Sequence, residues 1–172
     1  VQGGISIDVS RMNKVLRILK HRWLDERDAH RALGKGTLAR IEARVGASEK
    51  RHCGEIRVCV EAGLPLSYLR KNLTARDRAV MMFGKLRVWD TEAKNGVLIY
   101  LLLAERAIEI VADRGLARHV PPAQWQAIVA GMREPFAAGR FEEGLNAAID
   151  AGDALLVRHF PLAAGAASPD EL

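Results

Sequence analysis

The sequence predicts an α/β domain built on a mixed sheet and set behind a basic amphipathic helix. Two observations carry the sheet: residues 96–104 form an apolar run too short to cross a bilayer, and residues 55–61 alternate polar with apolar side chains. A third supplies the helices, since apolar residues recur at helical spacing before, between and after those runs. The 172 residues, 49% of them hydrophobic, suit one domain with a real core.

In order along the chain, Met12, Val15, Leu16, Leu19 and Trp23 make the first apolar stripe, with Lys14, Arg17, Lys20 and His21 largely off it. Gly34-Lys35-Gly36 breaks the pattern before Thr37, a candidate N-cap. Leu38, Ile41 and Val45 then stripe a helix expected to end near Gly54, and residues 55–61 form strand one. Pro65 opens a helical stretch through Leu66, Leu69, Leu73, Val80 and Phe83 toward Leu86. The capping-box pattern Thr74-Ala75-Arg76-Asp77 leaves it open as one helix or two.

Residues 90–95 read as a polar loop, residues 96–103 as a central strand, Ala104-Glu105-Arg106 as a hairpin turn and residues 107–112 as strand three, ended by Asp113-Arg114-Gly115. Pro121 and Pro122 open a helix bearing Trp125, Ile128, Val129, Met132 and Phe136, closed near Gly139. Phe141, Leu145, Ile149, Leu156 and Phe160 stripe the last helix, which Pro161 stops. The expected layout is residues 1–10 as an added or disordered lead without methionine, 11–36 as the basic helix and linker, 37–161 as the domain and 162–172 as an Ala/Gly-rich tail.

The formal charge of +5 resides in residues 1–40, where nine Lys/Arg face four Asp/Glu; the remainder is balanced. Cys53 and Cys59 are the only cysteines and lie too far apart along extended chain for a bridge, which fits a reducing compartment. With no secretory pattern in residues 1–10, the expected location is cytoplasmic, peripheral to the inner membrane if the basic helix reaches it. Trp23, Trp89 and Trp125 are scattered, and no nucleic-acid partner is expected.

Strand one reaches strand two through a helical crossover of more than thirty residues, which predicts a parallel pair, whereas strands two and three form an antiparallel hairpin. This topology gathers Glu55, Asp90, Thr91, Glu92, Asn95, Asp113 and Arg114 at one edge of the sheet. Oxygen donors of that kind suit a hard cation, Ca²⁺ or Mg²⁺, with Glu55, Asp90, Asn95 and Asp113 as candidate ligands. Asp and Asn at strand ends also serve as ordinary turn formers. Other motifs carry less: Gly34-Lys35-Gly36-Thr37 lacks the earlier glycine and strand of a phosphate loop, and His21, His30, His52, His119 and His159 show no zinc spacing. His52 and Cys53, adjacent on extended chain, point to opposite faces.

Taken in order, Glu55 within His52-Cys53-Gly54-Glu55-Ile56-Arg57-Val58, the block Lys94-Asn95-Gly96-Val97-Leu98-Ile99-Tyr100 and Ile110-Val111-Ala112-Asp113-Arg114-Gly115-Leu116 resemble the TPM domain family. The similarity continues through Trp125, Met132, Phe136, Gly139-Arg140-Phe141, Gly144 and Phe160-Pro161. That family holds thylakoid-lumen proteins linked to photosystem repair, receptor-associated membrane proteins and bacterial members, of which this chain resembles a cytoplasmic branch. The resemblance implies a mixed sheet of about four strands sandwiched between pairs of α-helices in a Rossmann-like three-layer arrangement. It further implies divalent-cation binding in some members and a disputed acid phosphatase activity. Glu55, Asn95 and Asp113 fall on its recurrent motif positions, whereas Asp90 rests on strand order alone.

Two functions compete. The first is a cation-tuned adaptor that meets an anionic membrane face or a protein partner through Lys14, Arg17, Lys20, Arg22 and Trp23, unless the helix packs its stripe on its own body or on a second subunit. The alternative is a metal-dependent phosphohydrolase with Asp90 as nucleophile or base and Arg114 neutralising charge, although no phosphatase motif is visible.

Overall fold

The computed structural model describes residues 14–23, 31 and 33–162; the expectations for residues 1–10 and for the tail beyond Leu162 lie outside them. The elements are α1 (Lys14–Trp23), α2 (Thr37–Glu49), β1 (Ile56–Glu61), α3 (Leu66–Arg70), α4 (Ala75–Lys85), β2 (Val97–Leu102), β3 (Ala107–Ala112), α5 (Arg114–Ala117), α6 (Pro122–Ala137) and α7 (Phe141–His159). The sheet has the order β1-β2-β3, with β1 parallel and β3 antiparallel to β2. A crossover through two helices forces the parallel pair, and a short turn forces the antiparallel one.

All six residues of β2 and all six of β3 are buried, so each strand supplies side chains to two cores. Pleat alternation divides them. Val97, Ile99, Leu101, Ile108, Ile110 and Ala112 join Trp125, Val129, Met132, Phe136, Leu145 and Leu156 of α6 and α7 on one face. Leu98, Tyr100, Leu102, Val111 and Ala107 meet Leu69, Ala79, Met82 and Phe83 of α3 and α4 on the other. Helices therefore cover both faces of the sheet.

Three expectations change in detail. Among the described residues the sheet has three strands, one fewer than the resemblance implies; the chain returning after α7 makes only an isolated bridge between His52 and Pro161, and proline has no N–H with which to extend a ladder. Gly36, at a left-handed φ of 76°, is the N-cap of α2, because the Thr37 hydroxyl is turned instead to the Leu33 carbonyl and the Glu142 carboxylate. That helix also ends at Glu49, short of Gly54. The stretch after Pro65 is two helices, with the Thr74–Asp77 capping box opening the second.

Two glycines fix the edge where β2 begins. A Cβ on Gly96 would come within 1.9 Å of the Val88 carbonyl oxygen, and one on Gly115 within 2.2 Å of the Ala93 oxygen. Neither backbone can retreat, because Asp113 donates to the Gly96 carbonyl at 2.8 Å and Gly115 to the Lys94 carbonyl at 2.8 Å. Gly96→Ala is expected to cost about 3 kcal/mol in urea unfolding. Gly131→Ala, in α6 with nothing within 4 Å of the added carbon, is expected to gain up to about 1 kcal/mol. Equal effects of the two would contradict the packing described.

Candidate functional site

The register Glu55, Gly96, Asp113 makes one cross-strand row just before the first ladder pairs, Ile56 with Val97 and Val97 with Ala112. Alternation turns this row toward the α4 face, as the approach of Val88 to Gly96 also shows. Glycine in the middle of the row leaves room for the Val88 carbonyl against the Gly96 backbone. Asp113 caps α5, its Oδ1 accepting from the Arg114 N–H at 2.7 Å, while its buried Oδ2 has no hydrogen-bond partner. Glu55 is paired with Arg57 two residues on, and Asp90 stands exposed in the following loop.

Asn95 is one position out of phase with the row and turns to the other face. There its amide nitrogen lies 3.7 Å from the Cys53 sulfur, its Oδ1 is buried without a partner, and its N–H donates to the Thr91 hydroxyl at 3.0 Å. Among the described residues, no three Asp, Glu, His or Cys side chains form a metal-holding group. What the edge offers is two carboxylates and a backbone carbonyl, a set that water would have to complete.

At the opposite end of the sheet, α1 is pinned across the hairpin turn by its polar side. Arg17 donates to Glu105 Oε1 at 2.7 Å and to the Leu73 carbonyl at 2.8 Å. His21 lies 3.0 Å from the same carboxylate oxygen and accepts from the Leu64 N–H at 2.9 Å. Burial acts to raise the Glu105 carboxyl, but hydrogen bonds from His21 and Arg17 outweigh it and hold Glu105 below the usual carboxylate range. Ile18 packs on the α4-side core. The stripe faces outward, with Val15 63%, Leu16 58% and Leu19 52% exposed. Lys20 is exposed as well, and the side chains of Lys14, Arg22 and Trp23 lie outside the described residues. No helix among those residues is long and apolar enough to cross a membrane.

Two polar clusters, one buried and one half-buried, escaped the sequence. Ser48, His52 and Asp153 are each at most 5% exposed; the Ser48 hydroxyl donates to Asp153 Oδ1 at 2.8 Å and stands 3.0 Å from His52 Nε2, while His52 Nδ1 lies 3.0 Å from the Gly54 carbonyl. Asp153 Oδ1 lies 3.7 Å from His52 Nε2, the same nitrogen that faces Ser48, while Nδ1 is taken by the Gly54 carbonyl; this is not the Nδ1–carboxylate order of a nucleophile triad, and the trio fastens α2 to α7. Burial pushes the His52 imidazole down. The spacing of Ser48 and His52, one helical turn apart, was its only local signal. The second cluster joins Glu61 to Arg78 at 2.8 Å and to the Tyr100 hydroxyl at 2.7 Å. Burial, with the Glu61 charge beside it, pushes the Cys59 thiol up to about 11 and makes it inert at neutral pH.

The TPM domain model matches residues 27–155. Among solved structures, the NMR structure of the BA42 protein from the psychrophilic bacterium Bizionia argentinensis is similar, with a TM-score of 0.68 and 26% identity over 79% of this chain and 89% of the other. No curated protein matches the chain.

Burial opposes the charge on Glu61, but hydrogen bonds from Arg78 and Tyr100 outweigh it and lower its pKa. Its contribution to stability is therefore complete above the ordinary glutamate value of about 4.3 and lost as pH falls through the folded value. Arg78→Leu strands the charge and is expected to cost about 2 kcal/mol at neutral pH. Urea unfolding at neutral and acid pH should show that deficit shrinking as Glu61 takes a proton; a deficit independent of pH would contradict the pairing.

Proposed function

The chain belongs to the TPM domain family, and on that premise we propose that it is a non-catalytic interaction module that docks on anionic membrane surfaces through α1. The observation that carries this reading is the orientation of α1: Arg17 and His21 hold its polar side to the body, so Leu16 and Leu19 face solvent. An apolar stripe turned outward needs a cover, and its flanks favour lipid. Besides the docked Arg17, residues 11–24 include Arg11, Lys14, Lys20 and Arg22 and no carboxylate, and each basic residue near an anionic bilayer contributes about 1 kcal/mol.

A divalent cation, Ca²⁺ or Mg²⁺, belongs to the same reading at the far edge. The unpartnered, buried Asp113 Oδ2 is an oxygen that a cation would satisfy, and Glu55 with the Val88 carbonyl flanks it across Gly96. Asn95, buried behind the row, would position the strand end, and Asp90 would meet the ion through water. Bound there, the ion would tie the α4–β2 loop to both outer strands. For the phosphohydrolase alternative, Asp90 and Arg114 are both exposed, and nothing in their placement favours a reacting centre over a turn.

Sedimentation of the full chain with phosphatidylcholine vesicles, with and without phosphatidylserine, tests the membrane reading. Binding is expected only with the anionic lipid, and Leu16→Glu combined with Leu19→Glu should weaken it by more than about tenfold. Unchanged binding of that double variant, or no binding by the parent, would overturn the reading and leave the stripe to a protein partner or a second copy. For the cation, thermal unfolding of the metal-stripped protein should rise with Ca²⁺ or Mg²⁺, since a ligand at about 100 times its Kd stabilises by about 2.7 kcal/mol. The rise should vanish in Asp113→Asn; a rise of equal size in that variant would place the ion elsewhere.

A further inference from the structure

Among the described side chains of α1, His21 is the one whose contacts require a single protonation state. Its ring has no exposed surface, and both nitrogens are engaged. Nδ1 accepts the Leu64 N–H at 2.9 Å, so it carries no proton; Nε2 lies 3.0 Å from Glu105 Oε1 and must carry one in order to donate. The neutral imidazole with its proton on Nε2 satisfies both partners.

A second proton cannot be accommodated. The imidazolium has N–H groups at both nitrogens, so whichever way the ring is turned, one of them meets the Leu64 N–H head to head in a buried setting. Nor has the helix room to shift inward, because a Cβ on Gly63 would lie 2.7 Å from the His21 carbonyl oxygen. Among the described residues, the charged groups that face the ring are Glu105, from the hairpin turn, and Arg17, from α1 itself. Glu105 attracts a proton to the ring, but it already shares its charge with Arg17 at 2.7 Å. Held below the usual carboxylate range, it stays ionised throughout the range in which histidine titrates.

We propose that His21 is an acid-triggered latch that holds α1 against the body while neutral and releases its C-terminal turn when protonated. Release breaks the Leu64–Nδ1 bond, loosens Ile18 from the core it packs on and adds a positive charge to a helix already without carboxylates. The functional sense of this rests on the membrane reading above: acid would strengthen attachment to an anionic surface by offering it more of the helix. The latch itself does not depend on that reading. By sign, the contact is present while the imidazole is neutral and is lost when Nδ1 takes a proton.

Amide hydrogen exchange of the full chain in solution, without lipid, tests it. With rates divided by the intrinsic rate at each pH, protection of the Leu64 amide and of α1 should fall by more than about tenfold between about pH 7.5 and about pH 5.5. Protection across β2 should hold. His21→Asn places a side-chain oxygen near the Nδ1 position as an acceptor that gains no proton, and its Leu64 protection should be flat over the same range. Ring ¹⁵N shifts of parent His21 at neutral pH supply a second readout and should report the Nε2–H form. Constant Leu64 protection in the parent, the same drop in His21→Asn, or an Nδ1–H ring at neutral pH would each overturn the proposal. Failure of vesicle binding at neutral pH would instead remove the membrane reading and leave these results unaffected.

Discussion

Six consecutive residues of β2, Val97–Leu102, are shut away from water on both faces of the sheet, and most of the molecule is arranged around that burial. A strand apolar on both sides needs helices above and below it and a strand at each edge. The crossover through α3 and α4 covers one face and delivers the chain back parallel to β1; the hairpin to β3 leads on to α6 and α7, which cover the other. Among the described residues, two polar clusters are closed within this frame. Glu61 with Arg78 and Tyr100, and Ser48 with His52 and Asp153, each tie together segments that the apolar contacts alone would leave free to slide.

The same topology separates two ends of the sheet with different chemistry. Where β1 and β2 begin, two glycines admit backbone carbonyls and the Asp113 carboxylate keeps one oxygen unmatched. Where they end, Glu105 in the hairpin turn becomes the anchor for a helix that arrives from outside the sheet. Open α/β sheets commonly bind ligands at the carboxyl ends of their parallel strands. Here α1 lies at that end. In the proposed reading the protein therefore meets its surface with one end and binds its cation at the other.

Much of this was legible in the residues. The alternation of residues 55–61 and the apolar run after Asn95-Gly96 each have a local physical cause, and strand order and pairing direction follow from them, whereas the Thr74–Asp77 capping box left open whether α3 and α4 were one helix or two. Strand order also brought Glu55 and Asp113 to one edge. Pleat parity, however, puts Asn95 on the other face, and only a residue-level register reveals that. The orientation of α1 was hidden for a different reason. Periodicity identifies an apolar stripe and suggests that it is the side to be covered, whereas Arg17 and His21 dock through hydrogen bonds to Glu105, Leu73 and Leu64, partners 43 to 88 residues distant. Asp153, far along the chain from Ser48, was out of reach for the same reason.

In the proposed reading, α1 meets a bilayer with its Leu16 and Leu19 side while the Glu55–Asp113 edge stays away from it. Paramagnetic relaxation of backbone amides, with the full chain bound to anionic nanodiscs carrying a nitroxide lipid, tests it most directly. Strong relaxation is expected at Leu16 and Leu19 and little at Glu55, Gly96 and Asp113. Relaxation centred on the Glu55–Asp113 edge, or spread evenly over the surface, would contradict it.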